Sequence, residues 1–572
     1  MPGDLPAGLA GQVESWLRAD PDPGDRAELS ALVAAGDVQG IRERFAGPLT
    51  FGTAGLRGPL RAGPAGMNTA VVRRTTAGLA GWLRGRSGAR PVVVIGHDAR
   101  LRGDQFALDA ARVLAAAGVR ALLLPAPLPT PVLAFAVRQL GADAGVMITA
   151  SHNPASDNGY KVYLGGDGPG GGAQLVAPAD VQIEQAAAAV GPAADIPLSD
   201  GWERLDGSVV AAYVDGAVAG AGRPSPPGAA PLVVAYTPLH GVGAEVLDTV
   251  FTRAGYARPV AVPNQREPDP AFPTVPFPNP EEPGALDAVL ALGRRIGADL
   301  VLANDPDADR CAAAVGEQVL TGDEIGLLLA DQVLRERPGP VATTVVSASA
   351  LRSLAGLYGV PCAETLTGFK WIMRADPGLV FGYEEALGYA VAPGLVRDKD
   401  GITAALALAR AAQRAKDAGR TLLDVLDDLQ GRLGVHATGQ VSARFTDLAG
   451  IAAVMRRLRA TPPERVGGRP VSALRDLLVG GGGLPPSDVL IVELGDAARF
   501  VARPSGTEPK LKIYLQAVVG PAEVAAAGLP AARRRARSEL AALRADVTAL
   551  LDLPAAAVPP GEVAGGSPPG PC

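Results

Sequence analysis

Two segments far apart in the chain carry side chains that together could perform phosphoryl transfer. Ser151 lies in a string of turn residues, positions 149–154, that follows an apolar run. Asp305, Asp307 and Asp309 alternate along the chain after a second apolar run. Three carboxylates at this spacing offer hard oxygen ligands to one divalent cation, and a serine that already carries a phosphoryl group can donate it without an activating base. The two segments are therefore candidates for two parts of one site.

Each segment also has a simpler interpretation. The acidic residues could form a surface turn, although three carboxylates this close repel one another unless a cation lies between them. An EF-hand is excluded, because Arg310 and Gly316 stand where that loop requires Gly and Glu. A phosphatase with Asp305 as its nucleophile would also use the acidic segment, but it leaves the Ser151 segment unexplained. Ser151 alone would be an ordinary turn residue.

A third segment near the C-terminal end combines a guanidinium, two hydroxyls, a lysine and a glycine, as a phosphate-binding loop does. Its members are Arg503, Ser505, Gly506, Thr507 and Lys510. The spacing of Ser505 and Glu508 also fits a helix capping box, which we reject because residues 511–518 are typical of a strand.

Two more segments could contact a substrate. Residues 51–58 form a Gly-rich loop with Thr53 and Arg57, which could bind an anion or act only as a connector. In residues 382–389 paired acids, the first of them Glu384, stand between aromatic residues, as in a site that reads sugar hydroxyls. The alternative for this last segment is an amphipathic surface turn.

Lysine is rare, with six lysines among 53 basic residues. They are Lys161, Lys370, Lys399, Lys416, Lys510 and Lys512. In a chain that uses Arg so widely, the remaining lysines are enriched where a compact ammonium that can lose its proton is needed. Lys161 could act as a base or pair with phosphate, and His152 beside Ser151 could orient or exchange a proton.

Composition narrows the class of protein. The chain has 572 residues, 48% hydrophobic content and a net charge of −6. This balance predicts a globular protein and argues against nucleic acid or an anionic membrane as the main partner. Three cysteines without metal spacing indicate reduced thiols. The first residues lack a basic and apolar leader, and no apolar run approaches the roughly 20 residues of a membrane span, so we expect a cytoplasmic protein.

Apolar runs that end in polar loops predict alternating strands and helices, and hence mostly parallel sheets. Strands are expected at residues 91–96, 119–124, 144–148, 232–236, 299–303 and 341–346. Helices are expected at residues 109–118, 132–140 and 286–296. Ligands of such sheets bind beyond the carboxyl ends of the strands. Residues 436–550 differ, with strands at 489–494 and 511–518 and a long helix from residue 530.

The predicted fold class is α/β, with three similar α/β units that contain mixed, mostly parallel sheets, followed by a C-terminal α+β domain. A stretch rich in Pro, Gly, Ser and Ala at residues 219–230 predicts the first boundary. The predicted domains are 1–222, which holds the Ser151 loop, 223–338 with the acidic segment, 339–435 with the sugar-reading segment and 436–553 with the phosphate-binding segment, followed by a disordered tail at 554–572.

Taken in order, these motifs closely resemble those of the α-D-phosphohexomutase superfamily of phosphoglucomutase/phosphomannomutase-like enzymes, nearest the branch that includes phosphopentomutases. The matching segments, which span nearly the whole chain, are 51–58, 149–154, 305–310, 382–389 and 503–510. The resemblance implies four domains around a central cleft, each contributing one loop. It also implies a Mg²⁺-dependent intramolecular phosphotransferase, an isomerase of carbohydrate metabolism.

By this resemblance Ser151 would be the phosphoserine and a metal ligand, together with Asp305, Asp307 and Asp309. Further catalytic residues, two that steady the phosphoryl group and two acid/base candidates, would be Arg57, Arg310, His152 and Lys161. Substrate would be bound by Thr53, Lys370, Glu384, Lys399, Arg503, Ser505, Gly506 and Thr507. Many glucose-type members carry Ser two residues after the first loop Glu, whereas this chain has Ala386, which keeps pentoses open as substrates.

The expected activity is the interconversion of hexose 1-phosphate and hexose 6-phosphate, of glucose or mannose, through a phosphoserine and a sugar bisphosphate. The alternatives are a phosphopentomutase on ribose or deoxyribose phosphates, a sugar-phosphate phosphatase, or a sugar-phosphate sensor without catalysis. We expect one Mg²⁺ per site and a sugar bisphosphate as activator. The expected partner is a small-molecule sugar phosphate, with no nucleic acid and no membrane, and the protein is expected to be a monomer or a weak homo-oligomer.

Overall fold

Strands and helices alternate through most of the chain, as the apolar runs predict. The computed structural model describes residues 5–52, 55–86, 89–168, 170–219, 230–445, 448–480, 483–504 and 510–551. Two compact units are present: Met1–Ala312 with Gly388–Arg410, and Ala313–Leu387 with Ala411–Cys572. Residues 220–229 of the predicted boundary stretch, 219–230, and the whole predicted tail lie outside the described residues.

Three helices precede the first sheet: α1 (Ala7–Ala19), α2 (Pro23–Ala35) and α3 (Val38–Arg44). They share a small core of Val13, Leu29 and Ile41 with Ala62. The Asp22 side chain begins α2 by accepting hydrogen bonds from two backbone N–H groups, which satisfies donors that the helix itself leaves free.

The first sheet has six strands in the order β1-β5-β4-β2-β3-β6. Its elements are β1 (Leu56–Pro59), α4 (Thr69–Arg84), β2 (Val92–His97), α5 (Gly103–Ala116), β3 (Arg120–Leu123), α6 (Thr130–Gln139), β4 (Ala144–Ile148), β5 (Asp157–Leu164), α7 (Ala179–Ala188), β6 (Glu203–Arg204) and α8 (Ser208–Ala219). Strand β2 runs parallel to β3 and β4, whereas β5 runs antiparallel to both β4 and β1. The exits of β2 and β4 therefore lie at one edge of the sheet.

Two details of this sheet differ from the sequence prediction. Helix α5 begins at Gly103 rather than at residue 109, because Phe106 and Ala107 pack into the core one turn earlier. Strand β5 was not predicted, because it follows a string of turn residues and carries Asn, Gly and Lys.

A second group of parallel strands follows in the same unit. Its elements are β7 (Val234–Thr237), α9 (Gly243–Arg253), β8 (Val260–Ala261), α10 (Asp287–Ile296) and β9 (Leu300–Ala303). Strand β7 lies between β8 and β9 and is parallel to both, so the exits of β7 and β9 share one edge. The acidic segment begins directly after β9, as the sequence predicts.

The second unit begins with a hairpin and a third group of parallel strands. The elements are β10 (Ala312–Val315), β11 (Gln318–Val319), α11 (Gly322–Glu336), β12 (Val341–Thr344), α12 (Ala350–Tyr358), β13 (Cys362–Thr365), α13 (Phe369–Ile372) and β14 (Phe381–Glu384). Strand β12 pairs in parallel with both β13 and β14. The chain then returns to the first unit through β15 (Gly388–Ala390) and into α14 (Gly401–Asp417).

The C-terminal region is built differently, around a five-stranded sheet in the order β16-β22-β21-β20-β19. Its elements are α15 (Leu422–Leu433), β16 (Val435–Arg444), α16 (Leu448–Ala460), β17 (Arg465–Val466), β18 (Arg469–Pro470), β19 (Ala473–Asp476), β20 (Leu490–Glu493), β21 (Ala498–Pro504), β22 (Lys510–Val519), α17 (Pro521–Ala527) and α18 (Leu529–Leu550). All neighbouring strands in it are antiparallel. The predicted class, three α/β units and a C-terminal α+β domain, is confirmed. Within the described ranges no helix is long and apolar enough to cross a membrane.

Candidate active site

Ser151 lies at the exit of β4 in a strained conformation. Its φ of 54° is in the left-handed region, which a residue with a side chain rarely adopts. Its backbone N–H donates to Thr149 Oγ1 at 2.9 Å, and that hydroxyl donates to Asp98 Oδ2 at 2.5 Å. Strain of this kind persists where surrounding contacts enforce it, and it is concentrated at functional sites.

The acidic segment meets Ser151 directly. Ser151 Oγ donates a hydrogen bond of 2.6 Å to Asp305 Oδ2, although the two residues are 154 positions apart. Oxygen atoms of Asp305, Asp307 and Asp309 lie within 4.8 Å of one another, and all three residues are buried. The structure therefore brings together the two segments that the sequence analysis singled out.

The loop after β7 packs against the acidic segment. The backbone N–H of Val242 donates to Pro306 O at 2.9 Å. A Cβ atom at Gly241 would lie 2.3 Å from Pro306 Cα, so only glycine permits this close approach. The backbone between β7 and α9 thus fits closely against the acidic segment.

The three carboxylates fit a divalent cation. Asp307 Oδ1 and Asp309 Oδ1 are buried and accept no hydrogen bond from the described residues. Burial, together with the charges of Asp307 and Asp309, raises the pKa of Asp305 well above its usual range. Hard carboxylate oxygens left unpaired in a buried cluster are the donor set that Mg²⁺ prefers, and a cation would relieve their mutual repulsion.

Lys161 lies on β5 and is fully buried against this cluster. Its Nζ donates to Asp307 Oδ2 at 2.6 Å and to Asp309 Oδ2 at 3.0 Å. Burial alone would lower the pKa of this ammonium, but the two carboxylates outweigh it and raise the pKa. Lys161 is therefore held as a charged ammonium when these carboxylates are its only partners.

His152 has the opposite electrostatic character. Its Nδ1 lies 3.2 Å from Ser151 Oγ, within hydrogen-bond reach. Its side chain is 23% exposed, and this partial burial, followed by the positive charges of Arg310 and Arg57, lowers its pKa well below the usual range for histidine. His152 is therefore neutral at physiological pH, so one ring nitrogen has a free lone pair, but the lowered pKa makes it a weak base. Of the two predicted acid/base candidates, the charged Lys161 contacts the acidic cluster and the neutral His152 contacts Ser151.

Two predicted arginines flank the serine loop. Arg57, on β1, donates from Nη1 to Asn153 Oδ1 at 3.3 Å, and its buried Nε has no hydrogen-bond partner among the described residues. Arg310 reaches Glu281 at 3.3 Å and has its Nε 4.0 Å from Asp305 Oδ2. Guanidinium groups placed this way suit an anionic group on Ser151.

Arg100 was not predicted as a functional residue, yet it holds the whole serine loop. Its guanidinium donates to four backbone carbonyls at 2.5–2.9 Å, those of Ser151, Asn153, Pro154 and Asp157. Asp98 lies beside it at 3.6 Å. The signal available in the sequence was a charged pair at the exit of β2, the strand parallel to β4, which ends at the same edge of the sheet.

Lys399 was predicted to grip substrate, and the structure places it at the acidic cluster. Its Nζ lies 3.4 Å from Asp309 Oδ2 and its side chain is 7% exposed. Lys399 belongs to Gly388–Arg410, the return segment, in which the chain goes back to the first unit. Local sequence patterns do not reveal this return.

The remaining predicted residues belong to the second unit or are not described. Glu384 ends β14, Lys370 lies in α13 and Arg503 lies near the end of β21. Glu385, next to Glu384, accepts hydrogen bonds from Ser347 Oγ at 3.0 Å and Thr344 Oγ1 at 3.3 Å. Thr53, Ser505, Gly506 and Thr507 lie outside the described residues.

Family models match the chain in four consecutive parts. They are the phosphoglucomutase/phosphomannomutase alpha/beta/alpha domains I, II and III, at residues 48–190, 211–318 and 321–432, and the C-terminal domain of that family at residues 441–527. The chain belongs to the phosphoglucomutase/phosphomannomutase family. The resemblance stated from the motifs is thereby confirmed.

Relatives within this family carry different names. A protein of Haemophilus influenzae named "Probable phosphomannomutase" is 43% identical over 79% of this chain and 93% of its own length. A mouse phosphopentomutase is 33% identical over 90% of this chain and 91% of its own length. A Staphylococcus aureus phosphoglucomutase is 33% identical, covering 83% and 90%. All three are phosphomutases, so the family is one of isomerases that move a phosphate group on a sugar.

A solved structure supports the fold. The chain resembles a phosphoglucomutase/phosphomannomutase family protein from Burkholderia thailandensis with a TM-score of 0.68 and 21% identity, covering 90% of this chain and 98% of that one. At this identity the likeness concerns the fold.

Proposed function

We propose that this protein is a phosphosugar mutase that interconverts hexose 1-phosphate and hexose 6-phosphate through a phosphoserine at Ser151. The observation that carries the proposal is the hydrogen bond of 2.6 Å from Ser151 Oγ to Asp305, within a buried cluster of three carboxylates. Such a cluster is costly to bury without a cation, and the serine beside it is held in a strained conformation in which its buried Oγ contacts the same cluster.

In the proposed first step, phosphoserine at 151 transfers its phosphoryl group to a free hydroxyl of the sugar phosphate. The Oγ–P bond breaks as the new sugar O–P bond forms, and the hydroxyl proton passes to a base. The neutral His152 and, once its carboxylate partners are engaged elsewhere, Lys161 are the candidates. The resulting bisphosphate turns over and returns its other phosphate to Ser151.

Mg²⁺, held by Asp305, Asp307, Asp309 and an oxygen on Ser151, would neutralise charge on the transferring group. Arg57 and Arg310 would hold the phosphoryl oxygens by charge-assisted hydrogen bonds. Arg100 fixes the backbone from which Ser151 projects, so that the serine need not reorganise during transfer.

In the second unit, we propose that Glu384 reads sugar hydroxyls, that Lys370 helps to bind substrate, and that Arg503 with the following loop holds the phosphate that does not react. We retain the domain bounds predicted from the sequence, the cytoplasm as the place of action, and a sugar bisphosphate as activator. The support for the three residue roles is the order of the motifs and the family to which the chain belongs.

A second candidate is a phosphopentomutase. It is favoured by the relatives of that name, which match about nine-tenths of this chain, and by Ala386, which offers no hydroxyl to the sugar. Hexoses remain our first choice because the more similar relative bears the name of a phosphomannomutase.

The test is a set of initial mutase rates with Mg²⁺ and a trace of sugar bisphosphate on glucose, mannose, glucosamine and ribose 1-phosphates. The variants are Ser151→Ala and, as a matched control in the same loop, Ser156→Ala, whose hydroxyl is exposed. We expect turnover on a hexose phosphate that is lost only in Ser151→Ala. Ribose turnover alone would select the second candidate. Isomerisation that survives Ser151→Ala would refute the mechanism.

A further inference from the structure

A buried cluster on the return segment lies next to the acidic site. Asp398 Oδ2 accepts hydrogen bonds from Tyr163 Oη at 2.6 Å and from Gln174 Nε2 at 2.7 Å. Asp398 Oδ1 accepts the backbone N–H of Lys399 at 2.8 Å. Asp398 is 1% exposed and Tyr163 is fully buried. Both carboxylate oxygens of Asp398 are therefore engaged by groups that fix the turn carrying Lys399.

The turn is also fixed on its other side. The backbone N–H of Asp400 donates to Tyr389 O at 2.8 Å, and that of Gly401 donates to Ala308 O at 3.2 Å. Between these anchors the Lys399 ammonium lies 3.4 Å from Asp309 Oδ2 and 3.8 Å from Asp398 Oδ1. A lysine has four rotatable bonds, so holding its ammonium at one point needs constraints of this kind.

One strand supports both lysines of the site. Lys161 and Tyr163 are two positions apart on β5, and side chains at that spacing project from the same face of a strand. Lys161 contacts Asp307 and Asp309 directly, whereas Tyr163 contacts Asp398. Strand β5 therefore carries the Lys161 ammonium directly and contacts the turn that carries Lys399 through the bond from Tyr163 to Asp398.

We propose that Asp398, held by Tyr163 and Gln174, is a positioning residue that fixes the Lys399 ammonium beside Asp309. This inference rests on the proposed mutase function for its kinetic consequence. The Lys399 ammonium then lies beside the carboxylates while the phosphoryl group is transferred, whichever of His152 and Lys161 accepts the hydroxyl proton. A preorganised positive charge at this point stabilises the transition state without moving during the reaction. This role differs from the grip on substrate that the sequence analysis assigned to Lys399.

The chain offers a matched control for this cluster. Tyr213 Oη donates to the carboxylate oxygens of Asp400 at 2.9 and 3.0 Å, and Tyr213 is also fully buried. Asp400 begins α14 by accepting the backbone N–H groups of Ile402 and Thr403. Tyr213→Phe thus removes a buried tyrosine–aspartate hydrogen bond two residues away and removes no hydrogen bond to Asp398.

The kinetic test measures kcat and KM for Tyr163→Phe and Tyr213→Phe, each alone and combined with Lys399→Met. We expect Tyr163→Phe to lower kcat about ten-fold with KM changed less than two-fold, because one hydrogen bond to a charged group is lost from the anchor. In the Lys399→Met background the same change has no further effect, since it acts through that ammonium. Tyr213→Phe leaves kcat within two-fold in both backgrounds. Equal losses from both tyrosine variants, or a full Tyr163→Phe effect without Lys399, would overturn the proposal.

A binding measurement separates this inference from the proposed function. Calorimetric titration of the dephosphorylated chain with Mg²⁺ needs no turnover. Because an ammonium near Asp309 repels the cation, Lys399→Met should tighten Mg²⁺ binding several-fold and Tyr163→Phe should do so about two-fold, with Tyr213→Phe unchanged. If this order holds without any mutase activity, the proposed function fails and the positioning role stands. Turnover in the wild type with equal Mg²⁺ affinities in all variants would contradict the positioning role alone.

Discussion

The acidic site of the first unit and the sugar-reading segment of the second unit both contain adjacent carboxyl groups, but they are stabilised in opposite ways. In the acidic site, Asp307 and Asp309 contact the Lys161 ammonium at 2.6 and 3.0 Å. In the sugar-reading segment, Glu385 bonds to the hydroxyls of Ser347 and Thr344. Burial, and then the nearby charges of Glu384 and Asp323, raise the pKa of Glu385 to about 7.

This difference fits the two roles proposed for these regions. Charges of both signs, fixed in place, suit the stabilisation of a phosphoryl group that gains charge during transfer. The second segment is held by neutral hydroxyls, and the pKa of about 7 leaves Glu385 partly protonated at neutral pH. It therefore carries less fixed charge, which suits the recognition of uncharged sugar hydroxyls. Substitutions in the first region should therefore alter kcat. Substitutions in the second region should alter the pH dependence of the unfolding free energy or the preference among sugars.

The largest effect is expected from Asp307→Asn, which weakens the acidic site itself. A lost metal ligand removes several kcal/mol of transition-state stabilisation, so we expect kcat to fall about 1000-fold and Mg²⁺ to bind more weakly. Steady-state kinetics and calorimetry measure the two effects. Asp180→Asn on α7, a half-buried acid whose Oδ1 accepts the backbone N–H of Val181, is the control. Unchanged Mg²⁺ affinity in Asp307→Asn would contradict the assignment.

A second prediction compares two arginines on one connection. Arg100→Met leaves Asp98 buried without its positively charged partner and removes the donor to four carbonyls of the serine loop. We expect the free energy of unfolding to fall by about 3–5 kcal/mol and kcat to fall by about 100-fold. Arg102→Met removes contacts to Asp22 and Asp25 in the N-terminal helices, so it should lower stability but leave kcat within a few-fold. Denaturant unfolding and kcat are measured together. Loss of kcat in both variants would mean that the serine loop is not held by Arg100 in particular.

The third prediction concerns Glu385→Gln in the second region. The folded-state pKa of Glu385, about 7, lies above its ordinary value of 4.5, so the folded chain binds more protons than the unfolded chain between these pH values. Unfolding free energy contributed by this group therefore falls as pH rises from about 4.5 to about 7. Gln stays neutral, so the variant should lose this decline and be about 1–2 kcal/mol more stable than the wild type at pH 8, after allowance for screening by water. Denaturant unfolding at a series of pH values measures it; a decline that persists in the variant would contradict the assignment.

The smallest effect is expected from Ala386→Ser, which returns a hydroxyl to the sugar-reading segment. One added hydrogen bond of about 0.5–1.5 kcal/mol should raise the ratio of kcat/KM for glucose 1-phosphate over ribose 1-phosphate by about 2–10-fold. Ala386→Cys, of similar size but with a weak donor, is the control and should leave the ratio near that of the wild type. A uniform change on both sugars would place this position outside sugar recognition.

Much of the acidic site could be predicted from the sequence because its residues follow strands. Ser151 and Asp305 come directly after apolar runs that form β4 and β9, and side chains at such exits meet at one edge of a sheet. The order of the helices and strands could be predicted for the same reason, since continuous apolar runs mark buried parallel strands.

The supporting residues could not be predicted, because they act through contacts between distant parts of the chain. Arg100 binds carbonyls some 50 positions away, and Asp398 bonds to Tyr163 across 235 positions. The Asn, Gly and Lys residues of β5 interrupt the apolar alternation by which a strand is recognised. The strand forms through its pairing with β4. Local patterns carry no information on such pairings.

The most direct test of the account is transfer of radiolabel from a ³²P-labelled sugar bisphosphate to the enzyme, followed by rapid quenching and mapping of the labelled peptide. We predict label on Ser151 that forms and decays at rates no slower than kcat, with none on Ser151→Ala and an unchanged amount on Ser156→Ala. Label on Asp305, or turnover without any labelled enzyme, would contradict a phosphoserine mechanism.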